Sequence, residues 1–491
     1  MNKDLELVNS YQKEIIILGE ISALLGWDHQ VYMPEQGDNS RSKQITLISA
    51  LIHKKLNSEE LFNAVKRLKN KKIGNKVMIN RLYKSISKSR KLPSKFIEEL
   101  SKEISLAHLA WKKAKNENKF EIFQPHLEKL VKLKQEEAKY IKLPGHIYNS
   151  LLDDYEEGMT VEKLKPIFKD LKEQLIILIK KIESSENYKK QKLPLNKKFD
   201  QSLQMELCKD VMKRIGLNEK FSRIDISEHP FSTQIGTNDV RITTHFQNDI
   251  LSAFSSVIHE SGHALYESNL PNKYEHTVLK EAPSLGLHES QSRFWENMIA
   301  KNKPFWIYYY PIFKNKFNLD NFEEWYKNIN LVTPGKIRIY SDEVHYCLHI
   351  ILRFEIELGL LEGTIKVKDL PKIWNQKMKE YFNVIPESDS VGMLQDVHWS
   401  NGSFGYFPTY AIGTIYAAQL YNKLKKDISS IENNIKKGDF SLISKWLSDN
   451  IHQYGSLYLA DDLIKKVCGT GLNPNEYIKY LTEKYKEIYK F

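Results

Sequence analysis

Ala253-Phe254-Ser255-Ser256-Val257-Ile258-His259-Glu260-Ser261-Gly262-His263-Ala264-Leu265-Tyr266-Glu267 is the stretch on which the reading of this chain turns. Phe254, Val257, Ile258 and Leu265 are apolar at helical spacing, no proline falls between Ile250 and Leu270, and Asp249 stands ahead as an N-cap candidate. Residues four apart on a helix share a face, so His259 and His263 lie side by side. Two converging imidazoles suit a divalent ion such as Zn²⁺. Glu260 lies about 100° round the helix from His259, where it can act as a base on the attacking water without being a ligand. Gly262 costs about 1 kcal/mol relative to alanine inside a helix, which implies close packing against the metal face.

The competing explanation is a chance H-E-x-x-H on an ordinary amphipathic helix, so a third donor matters. Leu287-His288-Glu289-Ser290-Gln291-Ser292 offers one, with Glu289 placed 26 residues after His263. That gap fits a helix, a turn and a second helix passing the first. Two histidines, a glutamate and an open position form a recurring catalytic zinc set. His288 competes with Glu289, and on a helix it points away from it.

The remaining sequence bounds the answer. The chain has 491 residues, 41% hydrophobic, 27% charged and 11% aromatic. Few glycines and prolines, with little period-2 alternation, predict a mainly α protein. Its length predicts subdomains within one unit over 1–491: a helical N-terminal subdomain over 1–183 and a catalytic one over 201–491, with the polar, Lys-rich Ser184 to Asp200 as boundary. Leu164, Ile167, Phe168, Leu171, Leu175 and Leu178 form one helical stripe; Leu127, Leu130, Val131, Ala138 and Ile141 form another. Pro93 and Pro125 mark helix starts. The net charge of +11 is spread in mixed-sign stretches, which reads as a Lys-rich surface rather than a nucleic-acid site. Three scattered cysteines, Cys208, Cys347 and Cys468, suit a reducing compartment. No signal-peptide core and no apolar run of about 18 residues are found, so a cytoplasmic protein without a membrane segment is expected.

Three further stretches carry chemistry. Asp239 to Phe246 alternates and is β-branched, between turns at His229-Pro230-Phe231 and Gly236-Thr237-Asn238. It predicts a short β-hairpin beside the metal helix, with an edge able to pair with an extended peptide. Ile337-Arg338-Ile339-Tyr340-Ser341-Asp342-Glu343 is expected to begin a helix running through Leu352. There Arg338 either faces a cleft or pairs with Asp342 one turn on. Gly392-Met393-Leu394-Gln395-Asp396-Val397-His398-Trp399, followed by Ser400 to Tyr410, reads as a binding loop. Tyr406, Tyr410 or His398 could stabilise an oxyanion; the alternative for each is a buried, satisfied aromatic.

In order, H-P-F at His229–Phe231, D-x-R-x-T at Asp239–Thr243, H-E-x-x-H at His259–His263 and H-E-S-Q at His288–Gln291 are followed by Ile337–Asp342 and by G-x-x-Q-D-x-H-W at Gly392–Trp399. With Trp27-Asp28 and Leu151 to Thr160, this series resembles the Taq-type thermostable metallocarboxypeptidase family over essentially the whole chain. Ser341 departs from it, standing where the family has alanine. The resemblance implies a helical saddle with a deep groove, similar to neurolysin and angiotensin-converting enzyme. It implies one Zn²⁺ per chain, sometimes with Co²⁺ supporting activity, a homodimer, and broad release of single residues from peptides with a free C-terminus. It makes His259, His263 and Glu289 the ligands, Glu260 the base and Arg338 the carboxylate anchor, with Arg241 as a rival. His229, Asp239 and Gln395 are the other substrate-side candidates in these motifs. Tyr406 and Tyr410 both stay open. The competing functions are an endopeptidase or dipeptidyl carboxypeptidase on the same scaffold, and a noncatalytic peptide binder with a structural metal.

Overall fold

The computed structural model describes residues 2–191, 199–319 and 321–491. The N-terminal part is a run of helices: α1 Lys3–Val31, α2 Asp38–Leu56, α3 Glu59–Lys71, α4 Lys76–Ser89, α5 Ser94–Glu117, α6 Phe120–Ile141, α7 Asn149–Leu152 and α8 Val161–Ser184. Short polar side chains start several of them. Asn2, Ser58, Asn75 and Thr160 each accept a hydrogen bond from the first turn that they precede. Pro93 stands immediately before α5, as expected. Pro125 does not open a helix: α6 begins at Phe120, and the proline falls inside it.

Of the polar stretch 184–200, residues 192–198 lie outside the described residues; α9 (Glu186–Lys189) precedes them and α10 (Gln201–Ile215) comes after. Three strands come next: β1 Ser222–Ile226, β2 Ser232–Gly236 and β3 Asp239–Thr244. The expected hairpin is β2–β3, antiparallel, with Thr237 and Asn238 at its tip. The strand ends at Thr244, short of Phe246. The sequence pattern does not reveal the third strand: β1 pairs parallel to β3, with Ser222 opposite Val240 and Ile226 opposite Thr244. β3 is therefore central, and only β1 and β2 keep an edge without a strand partner among the described residues.

The chain continues with α11 Ser252–Ser268, α12 Leu285–Arg293, α13 Lys303–Phe317, α14 Phe322–Ile329, α15 Tyr346–Glu362, α16 Leu370–Phe382 and α17 Pro408–Asp427. Four helices close the chain: α18 Ile431–Ile435, α19 Ser441–Asn450, α20 Ala460–Cys468 and α21 Pro474–Tyr489. The helix expected to start at Arg338 starts at Tyr346 instead. Arg338–Tyr340 is a separate 3-10 turn, and Asp342 caps the turn leading into α15 by accepting from Val344 N and His345 N.

One core runs from Ala107 to Tyr489 and takes in both stripes read from the sequence except Ile141, with Ile167 packed against it from the edge. A smaller core gathers Val8, Leu61, Val65, Leu82 and Ile86 from α1, α3 and α4, with Leu279 inserted from the segment before α12. No helix among the described residues is long and apolar enough to cross a membrane. The small core has few side chains to redistribute over a void. Leu82→Ala should therefore lower stability by about 2–5 kcal/mol, read as a lower denaturant midpoint.

Candidate metal centre and active site

α11 is held from below by apolar contacts. Ala253, Phe254, Val257, Ile258 and Leu265 are buried, while His259 and His263 turn towards α12. Asp249 acts at its start: its Oδ1 accepts from Leu251 N at 2.8 Å and Ser252 N at 2.5 Å. His259 Nε2 lies 3.7 Å and His263 Nε2 3.4 Å from the same atom, Glu289 Oε2. Donors bonded at 2.0–2.1 Å around a tetrahedral ion stand about 3.3–3.4 Å apart. The three side chains therefore fit a single small divalent ion. Among the described residues, no other group of histidine, cysteine and carboxylate side chains converges in this way.

Glycine makes this convergence possible. A Cβ on Gly262 would lie 2.6 Å from the Gln291 carbonyl oxygen and 2.7 Å from Ser292 Cα. A Cβ on Gly413 of α17 would lie 2.8 Å from the Gly286 carbonyl oxygen and 2.9 Å from Glu289 Cβ. α12 thus lies backbone-close between two helices, each of which has a glycine where it touches.

The sequence pattern does not reveal the second carboxylate and the arginine around the triad in these roles. His259 Nδ1 donates to Glu296 Oε2 at 2.8 Å, which aims Nε2 at Glu289. Arg293 Nε donates to Glu289 Oε1 at 2.7 Å, and its Nη1 to Glu296 Oε2 at 3.2 Å. One Glu289 oxygen is thereby held by Arg293 while the other faces the imidazoles. Burial opposes charge on Glu289, but Arg293 and the two histidines hold its carboxyl well below the usual range. Burial, reinforced by neighbouring His288, pushes His263 down to about 3, so it presents a neutral lone pair. His288 is turned away: its Nε2 meets Glu267 Oε1 at 3.0 Å, and its ring stacks on His263 at 4.2 Å. Glu260 is 8% exposed, and its carboxylate makes no hydrogen bond or ion pair with the described residues. Burial raises its carboxyl to about 7.

The loop 398–410 brings the other candidates together. His398 Nε2 lies 3.2 Å from the Tyr410 hydroxyl, and the Tyr406 ring lies 5.3 Å from Tyr410 and 5.2 Å from His398. Burial keeps both phenols protonated and lowers His398 to about 4, so the three are neutral hydrogen-bonding groups. Glu357 of α15 pins this loop. It accepts from Trp399 Nε1 at 2.9 Å, Gly405 N at 3.0 Å and the Tyr148 hydroxyl at 2.6 Å.

Arg338 is 6% exposed and does not pair with Asp342, which binds His345 Nδ1 at 2.7 Å instead. Its partner is Asp396, and its guanidinium lies 4.8 Å from the Tyr410 ring centre. Gln395 is saturated by the protein: its Oε1 accepts from Arg338 N and Arg353 Nη2, and its Nε2 donates to three carbonyls. Arg241 pairs with Asp239 through two bonds, at 2.9 and 2.7 Å, and covers the Trp27 ring at 4.2 Å. His229 is exposed, and its carbonyl accepts from Ser227 Oγ. None of these three joins the metal-side residues by a hydrogen bond or ion pair. A direct test of the packing is Gly262→Ala. The added methyl should push α12 away and lower metal content without altering a ligand, as read by elemental analysis of purified protein.

Comparison with known proteins agrees with this geometry. The family model described as carboxypeptidase Taq (M32) metallopeptidase matches residues 7–485. Thermostable carboxypeptidase 1 of Pyrococcus furiosus is 37% identical over 494 residues, covering 99% of each chain. Carboxypeptidase 1 of Bacillus subtilis is 35% identical, covering 98% of this chain and 99% of its own. The crystal structure of an M32 carboxypeptidase from Deinococcus radiodurans R1 superposes with a TM-score of 0.95 at 30% identity, covering 100% of both chains. The chain belongs to the carboxypeptidase Taq (M32) family of metallopeptidases, and is a metal-dependent carboxypeptidase.

Proposed function

We propose that the chain is a zinc carboxypeptidase that removes single residues, with broad side-chain tolerance, from peptides bearing a free C-terminus. The observation that carries this reading is the convergence of His259, His263 and Glu289 on one point, next to a buried carboxyl, Glu260, that has no hydrogen-bond or ion-pair partner among the described residues. His259, His263 and Glu289 would hold the ion. When bound, zinc supplies Lewis-acid polarisation of the scissile carbonyl and acidifies the hydrolytic water. Co²⁺ has the same ligand preferences and would substitute.

The chain's own groups then divide the work. Glu260 takes a proton from the attacking water and returns it to the leaving amine. Its burial supports this role, because a carboxyl near neutrality both accepts and releases protons. Tyr410, Tyr406 and His398 are neutral donors clustered together, suited to an oxyanion. Arg338, with a planar guanidinium, reads the terminal carboxylate and thereby sets the last peptide bond over the reacting centre. Arg241 is the alternative anchor, although two of its N–H groups are already taken by Asp239. The helical subdomain over 1–183, the catalytic one over 201–491, a homodimer and a cytoplasmic location complete the proposal.

Prolonged chelation should abolish activity, and Zn²⁺ or Co²⁺ should restore it. Glu260→Gln should slow turnover by about 10²–10⁴-fold with metal content unchanged. A Glu260→Gln protein that stays active but loses metal would reverse the roles of base and ligand.

The exopeptidase assignment has its own test. Wild type should cleave a free-acid peptide far faster than its C-terminal amide and release free amino acids. Arg338→Ala should lose roughly 2–5 kcal/mol of that preference. Dipeptide products, or equal cleavage of acid and amide by wild type, would favour the dipeptidyl or endopeptidase alternatives.

A further inference from the structure

Asp396 lies between two arginines. Its Oδ1 accepts from Arg338 Nε at 3.1 Å and Nη2 at 2.8 Å. Its Oδ2 accepts from Arg353 Nε at 2.7 Å and Nη2 at 2.5 Å. The two arginines are not equivalent. Arg353 is fully buried, and its other N–H groups are used as well, Nη1 on the His349 carbonyl and Nη2 on Gln395 Oε1, both at 2.8 Å. It is a fixed strut. Arg338 makes no hydrogen bond through Nη1 with any described residue, and its Cζ lies 4.8 Å from the centre of the Tyr410 ring.

A guanidinium has two edges able to make parallel hydrogen bonds to a carboxylate: the side edge, Nε with one Nη, and the end, Nη1 with Nη2. In Arg338 the side edge is occupied by Asp396. We propose that Asp396 is a positioning residue for C-terminus recognition. Braced by Arg353, it holds the side edge of Arg338 so that the substrate's carboxylate is met end-on, through Nη1 and Nη2. This rests on Arg338 being the anchor, as proposed above. A lysine at this position would have no second edge to be held by while it binds.

The experiment measures the ratio of kcat/KM for a free-acid peptide to kcat/KM for its amide, in metal-loaded wild type, Asp396→Asn, Asp396→Glu and Arg338→Ala. Asp396→Glu keeps the charge between the two arginines and so guards against loss of folding. The expected result is a fall in the ratio of about 10- to 100-fold in the Asp396 variants, carried by KM for the acid. General structural damage would slow acid and amide together and leave the ratio unmoved. If Arg338→Ala loses the ratio and a folded, metal-loaded Asp396 variant keeps it, the positioning role is overturned and the anchor stands. If Arg338→Ala keeps the ratio, the anchor reading itself fails. Should neither Asp396 variant fold, a crystal structure of wild type with the dipeptide Ala-Phe decides. A carboxylate on the Nη1–Nη2 end supports the proposal, and one bound through Nε or to another residue overturns it.

Discussion

The close approach of three helix backbones is the constraint on which the site depends. α12 carries Glu289 and lies against α11 at Gly262 and against α17 at Gly413. Side chains normally keep helix axes 8–10 Å apart. A glycine at each contact removes the atom that would separate them. Only then does a carboxylate on α12 come within 3.4–3.7 Å of two imidazoles on α11. The same wedge joins α17, which begins just before Tyr410, to the metal helix. The distance between the His259, His263 and Glu289 cluster and Tyr410 is thus governed by backbone contact rather than by flexible side chains.

Around this wedge, charge is arranged in two separate groups. On the metal side Arg293 holds the buried Glu289 and the half-buried Glu296 together, so that neither is a free anion. On the proposed substrate side Asp396 is shared between Arg338 and Arg353. Glu260 belongs to neither group. Its carboxyl feels burial most strongly, and that is what brings it to about 7. A carboxyl near neutrality arises here because burial outweighs the neighbouring groups, of which His259 pulls it down and Glu289 pushes it up.

The features legible in the sequence are the local ones. The metal helix is legible because apolar period, two histidines and a glycine lie within one helix length. The choice of Glu289 over His288 needs only helical geometry, and His288 is indeed turned onto Glu267. The closeness at Gly262 is legible in kind, but its partner, the Gln291–Ser292 backbone, is not. Pairings over long separations leave no trace: β1 meets β3 through a connection that carries no repeat, and Arg353 meets Asp396 across 43 residues. The sequence places Arg338 wrongly at the start of α15, because acids after an arginine look like a first turn. Asp342 does cap, but for the residues after it. Pro125 misleads in a similar way, since a proline early in α6 resembles one at its first position.

The separations within the two charge groups differ, and this bears on how the molecule assembles. The contacts of the metal side, from His259 to Glu296, close over 37 residues or fewer, within consecutive helices. The substrate side joins Arg338 to Asp396 across 58 residues, and the Glu357 bond that pins its loop reaches back 209 residues to Tyr148. Closing a longer loop costs more chain entropy, and contacts between distant segments form late. The contacts between α11 and α12 therefore form early, and α17 completes the wedge at Gly413 later. The group around Arg338, proposed to read the end of a peptide, is braced only when the segment carrying Tyr148 docks on Glu357, so a folding chain brings its two imidazoles towards Glu289 before it completes that group.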